Sequence, residues 1–317
     1  MSDLVTFGES MLRFSPPGDE RIECADEYEV HVAGAESNVA VAAQRLGLDA
    51  AWTSKLPDSP VARKITRTLR SDGVTVDVAW SDDGRVGTYY LEGGDPPRET
   101  DVIYDRAASA VTTARPEELA IGRIEDASAF HTTGITPALS DRLLSTTATL
   151  LERAREAGTT TSFDLNYRSK LWSPTEAKAA LTDLLPLVDV LVVAQRDARS
   201  VLDRDGDAEA IARGLADEFG FEVTVITRGS EGALAVAGDT VYDQPTFAAA
   251  NTHPVGTGDA FVGGFLSQYV DGESPGRALE YAAATAALKR SVPGDIAVVT
   301  PGEVEAVLAG GTDGISR

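Results

Sequence analysis

The chain of 317 residues contains a single cysteine, Cys24. One thiol excludes an internal disulfide framework and any metal centre built from several cysteines. Long apolar runs are also absent, since no segment approaches the roughly 20 residues that a membrane-spanning helix needs. The first residues have neither the charged region nor the apolar core of a secretory signal peptide. The sequence therefore predicts a soluble, cytoplasmic protein with no membrane partner.

Basic residues are scarce as well. The chain has 28 Lys and Arg against 50 Asp and Glu, which gives a net charge of −22, and only five of the basic residues are lysines. This charge repels a nucleic-acid backbone, so we expect no nucleic-acid partner. It also destabilises a compact fold by self-repulsion unless salt screens it, and the Debye length falls to about 3 Å at 1 M salt. We therefore predict a protein of halophilic type, with an ordinary acidic surface as the alternative.

The most informative motif is Gly256-Thr257-Gly258-Asp259, which precedes the apolar run 260–266. Its two glycines permit a tight turn, and the first N–H groups of a helix that starts there form an anion site. A carboxylate beside such a site is able to take a proton from a hydroxyl while the N–H groups stabilise the developing negative charge. The alternative is that Asp259 simply caps the helix.

The later part of the chain alternates between short apolar segments and helical patterns. We predict strands at 129–132, 160–163, 188–193 and 223–227, and helices at 139–157, 174–185 and 208–219. This alternation predicts an α/β fold with a parallel sheet, helices on both faces, and ligands beyond the carboxyl ends of the strands.

The early part of the chain has a different pattern. Short alternating segments at 11–15, 28–33, 86–92 and 101–104 predict a small separate sheet. No linker, repeat or low-complexity segment interrupts the sequence. We therefore expect a single domain over 1–317, with the strands of the small sheet inserted at about 11–33 and 85–106.

Four segments occur in a characteristic order along the chain. They are 33–38, the stretch 162–168 (Ser-Phe-Asp-Leu-Asn-Tyr-Arg), the stretch 223–232, and the Gly-Thr-Gly-Asp motif. Together they resemble the ribokinase-like (PfkB) family of sugar kinases, and the resemblance runs from Phe7 to Asp295. It implies a ribokinase-like three-layer α/β/α sandwich with a mostly parallel central sheet and a small β-sheet lid over the sugar. It also implies ATP as the phosphoryl donor, with Mg²⁺ carried by the nucleotide and no metal bound by the protein alone.

The resemblance assigns roles to individual residues. Asp259 is the general base, and the anion hole is formed by Gly256, Thr257 and Gly258. The implied substrate-binding residues are Gly34, Asn38, Tyr89, Tyr104, Arg106, Arg168 and Asp295. The implied nucleotide-binding residues are Asn166, Arg228, Gly229, Gly232 and Ala283.

The two arginines of the substrate set bear on the choice of sugar. A neutral sugar needs no cation, whereas Arg106 and Arg168 are suited to bind a carboxylate through charge-assisted hydrogen bonds. The set is similar to the family branch that phosphorylates 2-keto-3-deoxygluconate. We therefore predict ATP-dependent formation of its 6-phosphate, by a homo-oligomer assembled through the lid, with the gluconate or galactonate form left open. The alternatives are a kinase for fructose or ribose, and a non-catalytic sugar or nucleotide sensor.

Three positions depart from the family pattern. His253 replaces the usual aspartate six residues before the base, and Thr257 replaces the usual alanine between the glycines. The stretch 194–197 (Ala-Gln-Arg-Asp) replaces the motif Asn-x-x-Glu, which is associated with magnesium and phosphate. We expect activity to be retained, because Gly256, Gly258 and Asp259 are all present.

The charge leads to a first prediction. The melting temperature and the kinase activity will rise from low salt to above about 1 M KCl, because screening removes the repulsion among the acidic side chains. Thermal denaturation and a coupled kinase assay across a KCl series measure the two quantities. A melting temperature that stays flat or falls over this range would contradict the halophilic type while leaving the kinase prediction intact.

Overall fold

The computed structural model describes residues 2–18, 20–94, 97–249 and 252–310. Its larger sheet has nine strands, and its smaller sheet has four. In spatial order the larger sheet contains β13 (Thr240–Gln244), β12 (Ala233–Ala237), β11 (Val223–Thr227), β10 (Val190–Ala194), β9 (Thr160–Asp164), β8 (Ala129–Thr133), β1 (Leu4–Phe7), β4 (Ala50–Pro57) and β5 (Thr75–Ser81). Neighbouring strands from β11 to β5 are parallel, and β12 and β13 extend the sheet in antiparallel pairing.

Ten α-helices accompany the sheets in the part of the chain that the structure describes. They are α1 (Ala35–Arg45), α2 (Pro60–Ser71), α3 (Ile121–Glu125), α4 (Asp141–Ala157), α5 (Pro174–Leu184), α6 (Gln195–Leu202), α7 (Ala208–Phe219), α8 (Thr257–Tyr269), α9 (Pro275–Lys289) and α10 (Pro301–Leu308). None of them is long and apolar enough to cross a membrane.

The core lies in two layers, one on each face of the larger sheet. One buried cluster joins the sheet to α4, α5, α6 and α7, and the other joins it to α1, α2, α8 and α9. Phe163 belongs to the first cluster and Trp52 to the second, and neither is accessible to solvent. The predicted three-layer α/β/α architecture with a mostly parallel central sheet is confirmed.

The smaller sheet contains, in spatial order, β3 (Glu29–Ala33), β2 (Met11–Ser15), β6 (Thr88–Glu92) and β7 (Asp101–Asp105). β2 pairs antiparallel with β3 and parallel with β6, and β6 pairs antiparallel with β7. One face of this sheet carries Met11, Ala33 and Tyr89, which form a small buried cluster of their own. The prediction of a small separate sheet is confirmed.

Most element boundaries predicted from the sequence agree with the structure to within two residues. Helix α4 starts at Asp141 rather than at 139, because the Ser140 side chain accepts a hydrogen bond from the Leu143 N–H at 3.1 Å. Hydrophobic patterning did not identify β4, although all eight of its residues are buried. Two of its polar residues have partners inside the fold: the Ser54 hydroxyl donates to the Gly8 carbonyl at 2.8 Å, and Lys55 binds Glu118.

Candidate functional site

A cavity of about 860 Å³ lies between the carboxyl ends of the parallel strands and the smaller sheet. From the end of the larger sheet it is lined by Glu9, Asp164, Ala194 and Thr227. From the smaller sheet it is lined by Met11, Ala33, Tyr89, Leu91, Val102 and Tyr104. The start of α1 and the loop before α8 complete the wall. The strand ends and the glycine-rich loop predicted to form a site therefore meet at one cavity.

The loop before α8 has a conformation that requires glycine. Gly256 has φ +79°, and a Cβ atom there would lie 2.0 Å from the Asp295 carbonyl oxygen. Among the described residues, no side chain caps the start of α8. Instead, Asp259 Oδ2 accepts a hydrogen bond from Asn38 Nδ2 at 2.7 Å. Asp259 therefore contacts α1 rather than capping its own helix.

The N–H groups at the start of α8 suit an anion. The Thr257 N–H donates to the Pro254 carbonyl at 3.3 Å. The next two N–H groups, of Gly258 and Asp259, have no partner among the described residues. The position of a Cβ on Gly258 has no neighbouring atom within 4 Å. A phosphoryl group could approach these N–H groups without steric obstruction.

Three carboxyl groups around the cavity have pKa values raised to about 6 or 7. Burial raises the pKa of Asp259 to about 6, and the Asn38 hydrogen bond partly opposes that shift. Burial also raises the pKa of Asp164 to about 7, with a further contribution from the charge of Asp259. A group that titrates near 6 is suited to accept a proton at neutral pH.

The third carboxyl group, that of Glu36, is a candidate site residue that the sequence analysis missed. Its Oε1 accepts three hydrogen bonds, from the Thr133 N–H at 3.1 Å, the Thr133 hydroxyl at 2.8 Å and the Thr136 hydroxyl at 2.7 Å. The carboxyl group lies directly against Gly8, where a Cβ atom would be 2.1 Å away. Burial raises the pKa of Glu36 to about 7. The signal available in the sequence was a lone acidic residue in the first turn of α1, just before a run of small and apolar residues at 39–43.

Gly34 and the small-sheet residues predicted for the substrate all line the cavity. Gly34 precedes α1, and a Cβ there would lie 2.2 Å from the Glu9 carbonyl oxygen. Arg106 forms a buried ion pair with Glu9, and its guanidinium carbon lies 5.3 Å from the centre of the Tyr104 ring. Sequence reasoning did not identify Glu9, because its partner is 97 residues away.

Arg168 and Asp295 both line the cavity. Arg168 is exposed and lines the cavity at the end of β9. Its charge lowers the pKa of Asp164 and of Asp259, against the larger effect of burial. Asp295 is buried, and its Oδ1 accepts a hydrogen bond from the Tyr89 hydroxyl at 3.0 Å.

The residues predicted for the nucleotide divide into two groups. Asn166 lines the cavity, has φ 39°, and donates its N–H to Asp164 Oδ1 at 3.1 Å. Arg228, Gly229, Gly232 and Ala283 do not line this cavity. Arg228 binds both carboxylate oxygens of Asp243, at 2.7 and 3.1 Å. The pairing stabilises the turn after β11. This turn directly follows Thr227, which lines the cavity.

The altered motif at 194–197 also faces the cavity. Asp197 is buried, its pKa is raised by burial, and its Oδ1 lies 3.4 Å from Arg196 Nε. No group of three or more His, Cys, Asp or Glu side chains within the described ranges is arranged to hold a metal ion. Asp164 and Asp197 supply the hard oxygen donors that Mg²⁺ prefers.

Comparisons with known proteins identify the family of this chain. The model of the family described as pfkB family carbohydrate kinase matches residues 1–301. The chain is 62% identical over 316 residues to the 2-dehydro-3-deoxygalactonokinase of Haloferax volcanii, covering 100% of this chain and 99% of that protein. It is 33% identical over 313 residues to the 2-dehydro-3-deoxygluconokinase of Thermoproteus tenax, covering 97% and 94% of the two chains. The halophilic type predicted from the charge agrees with the first of these relatives.

One solved structure extends the comparison to three dimensions. The crystal structure of 2-dehydro-3-deoxygluconokinase from Thermotoga maritima matches with a TM-score of 0.90 and 34% sequence identity. The match covers 96% of this chain and 98% of that one. The predicted resemblance is therefore confirmed in both sequence and fold.

The hydrogen bond between Asn38 and Asp259 leads to a second prediction. It lowers the pKa of Asp259, so Asn38→Ala will raise that pKa above about 6. If Asp259 is the base, it must be deprotonated to act, so the acidic limb of the kcat profile will move to higher pH. The shift is about one unit if the lost bond is worth about 1.5 kcal/mol. The matched control is Ser37→Ala. Ser37 lies on the same helix as Asn38, and its hydroxyl donates to Ser10 Oγ and to the Gly34 carbonyl. An acidic limb that stays in place or moves down in Asn38→Ala would contradict the assignment.

Proposed function

Since the chain belongs to the pfkB family of carbohydrate kinases, we propose that it transfers a phosphoryl group from ATP to the terminal hydroxyl of a 2-keto-3-deoxy sugar acid, giving the 6-phosphate. The observation that carries this proposal is the arrangement at the start of α8. There the carboxylate of Asp259, oriented by Asn38, lies next to two N–H groups with no partner in the described chain.

In this proposal each part of the arrangement has one task. Asp259 accepts the proton of the attacking hydroxyl, and the N–H groups of Gly258 and Asp259 stabilise the charge on the transferred group. Phosphoryl transfer depends mainly on such positioning and charge stabilisation. Magnesium carried by the nucleotide neutralises phosphate charge when bound, and Asp164 and Asp197 are the residues that would hold it.

The charges in the cavity support a sugar acid. Four basic side chains line it among the described residues, and three of these form ion pairs: Arg106 with Glu9, Lys170 with Asp101 and Arg196 with Asp197. Arg168 forms no ion pair within the described chain. We propose that Arg168 binds the anionic substrate directly. Arg106 contributes through the edge of its guanidinium group that faces away from Glu9, or by exchanging Glu9 for the substrate carboxylate.

The relatives are named for two epimeric substrates, the gluconate and the galactonate forms of the keto-deoxy acid. The sequence resembles the family branch named for the gluconate form and leaves the epimer open. The relatives from Thermoproteus tenax and Thermotoga maritima are also named for the gluconate form. The Haloferax volcanii protein, which is 62% identical to this chain, is named for the galactonate form. The galactonate form is therefore the second candidate. A coupled assay at molar KCl with both keto-deoxy acids, fructose and ribose ranks the candidates by kcat/KM. A fructose or ribose kinase has less support, and sugar-dependent turnover of ATP would exclude a non-catalytic sensor.

We retain three further proposals from the sequence. The chain forms a single domain over 1–317, the smaller sheet acts as a lid over the sugar, and the protein is cytoplasmic. We also propose a homo-oligomer assembled through the outer face of the smaller sheet. The support for the oligomer is apolar surface on that face: Phe14 stacks on Tyr90 at 5.5 Å, and Ile103 is 49% exposed.

A third prediction tests the base. Asp259→Asn retains the size of the side chain and an oxygen that accepts from Asn38, but it cannot take up the proton. We expect kcat to fall by roughly 10²–10⁴-fold while ATP still binds. Steady-state kinetics and ATP titration measure the two effects, and the titration serves as the control for folding. Activity within threefold of the parent would overturn the assignment of Asp259 as base.

A fourth prediction tests the sugar-acid assignment. Arg106→Ala and Arg168→Ala each remove a charge-assisted contact worth about 2–4 kcal/mol, which is roughly 30- to 1,000-fold in kcat/KM on the keto-deoxy acid. Activity on fructose will change little. Arg168→Ala will also lower kcat, because Arg168 lies near the predicted phosphate site.

The control for this test is Arg85→Ala. Arg85 is an exposed arginine that pairs with Asp105 beside Arg106. Its replacement will leave activity on both sugars within about twofold of the parent, as exposed pairs contribute little. Equal losses on the acid and on fructose in Arg106→Ala would mean that the arginine only supports the lid. A neutral-sugar kinase would then become the better proposal.

A further inference from the structure

A buried ion pair connects the smaller sheet to the segment that follows α9. Arg13 lies on β2, and its Nη1 atom is 3.3 Å from Asp295 Oδ2. The side chains are 7% and 2% exposed, respectively. Tyr89, the cross-strand neighbour of Arg13 on β6, donates its hydroxyl to the other oxygen of the same carboxylate. Two adjacent strands of the smaller sheet, β2 and β6, thus both contact the Asp295 carboxylate of the segment that follows α9.

The segment that carries Asp295 is also held from its other side. Lys289, at the end of α9, is fully buried. Its ammonium group donates to the carbonyls of Val292 and Gly294, both at 3.0 Å. Asp295 therefore sits on a short segment fixed at one end by Lys289 and at its side chain by Arg13.

The backbone of Asp295 meets the loop that carries the base. The Asp295 carbonyl oxygen occupies the space beside Gly256, where a Cβ atom would be only 2.0 Å from it. Gly256 is the residue immediately before α8, whose first turn contains Asp259. A displacement of Asp295 would therefore displace Gly256, and with it the N–H groups proposed to hold the transferred phosphoryl group.

We propose that Arg13 is a positioning residue for phosphoryl transfer, which couples the smaller sheet to the anion-binding loop through Asp295. Arg13 does not line the cavity itself, so it acts through its partner. A buried carboxylate that loses its counter-charge must take up a proton or turn toward water. A proton on Asp295 would weaken the hydrogen bond from Tyr89, and a turn toward water would break it. Either change would allow the neighbouring backbone to move. This inference rests on the proposed role of the Gly256–Asp259 loop.

The experiment compares Arg13→Gln with Arg85→Gln, both assayed at 3 M KCl and well below the melting temperature of each variant. Arg85 is the matched control, because it is an arginine at the smaller sheet that pairs with an aspartate but is exposed. We expect Arg13→Gln to lower kcat/KM for the sugar about 10- to 100-fold, with part of the loss in kcat, since a misplacement of about 1 Å at a reacting group costs this much. ATP binding without sugar will change less than threefold. Arg85→Gln will stay within twofold of the parent.

A coupling measurement separates positioning from simple stabilisation. If Arg13 acts through Asp295, Arg13→Gln will cost less than threefold when introduced into Asp295→Asn. The same loss in both backgrounds would overturn the proposal. So would an Arg13→Gln variant with a lowered melting temperature but the kcat and KM of the parent.

The experiment stays informative if Arg13→Gln does not fold, and also if the parent prefers a neutral sugar. If Arg13→Gln does not fold, Arg13→Lys keeps the charge but changes the geometry of the contact, and we expect it to fold and to lose about threefold to tenfold in kcat/KM. An Arg13→Lys enzyme as active as the parent would overturn the proposal.

The assays use whichever sugar the parent phosphorylates best. A parent that prefers a neutral sugar would therefore overturn the proposed substrate, while the comparison of variants would still test Arg13.

Discussion

The hydrogen bond from Asn38 to Asp259 is the contact on which the site depends, and close packing of two helices makes it possible. A Cβ atom on Gly263 of α8 would lie 2.5 Å from the Ala42 Cβ of α1. Gly263 therefore permits an approach that a larger residue would prevent. Because α1 and α8 approach this closely, a 2.7 Å bond forms between side chains 221 residues apart. The bond orients the carboxylate and moderates the rise in its pKa.

The charge of the cavity has a physical consequence for its ligands. Eight acidic side chains and four basic ones line it among the described residues, although the proposed ligands are anions. Burial raises the pKa values of Glu36, Asp164 and Asp259 to between about 6 and 7. Part of the nominal negative charge is therefore neutralised near neutral pH. A cation carried by the nucleotide would neutralise more of it.

The smaller sheet is tied to the main body by charged groups as well as by apolar contacts. Glu9 with Arg106, and Arg13 with Asp295, are buried pairs that each join the two sheets or their flanking segments. Breaking such a pair is costly, because the remaining charge stays buried. The pairs therefore fix the position of this sheet relative to the cavity more narrowly than the apolar contacts alone would.

The sequence by itself determined the α/β class, because alternating apolar and helical segments such as 208–219 and 223–227 follow from local periodicity. It also led to the proposal that Asp259 is the base, because two glycines and a carboxylate are adjacent in the chain. Only the tertiary structure decided that Glu9 pairs with Arg106, that Glu36 accepts three hydrogen bonds, and that Arg228 binds Asp243 outside the cavity. Each of these contacts joins residues at least 15 positions apart, and burial raises the pKa of Glu36. Local sequence patterns carry no information about either property, because both arise only when distant segments pack together.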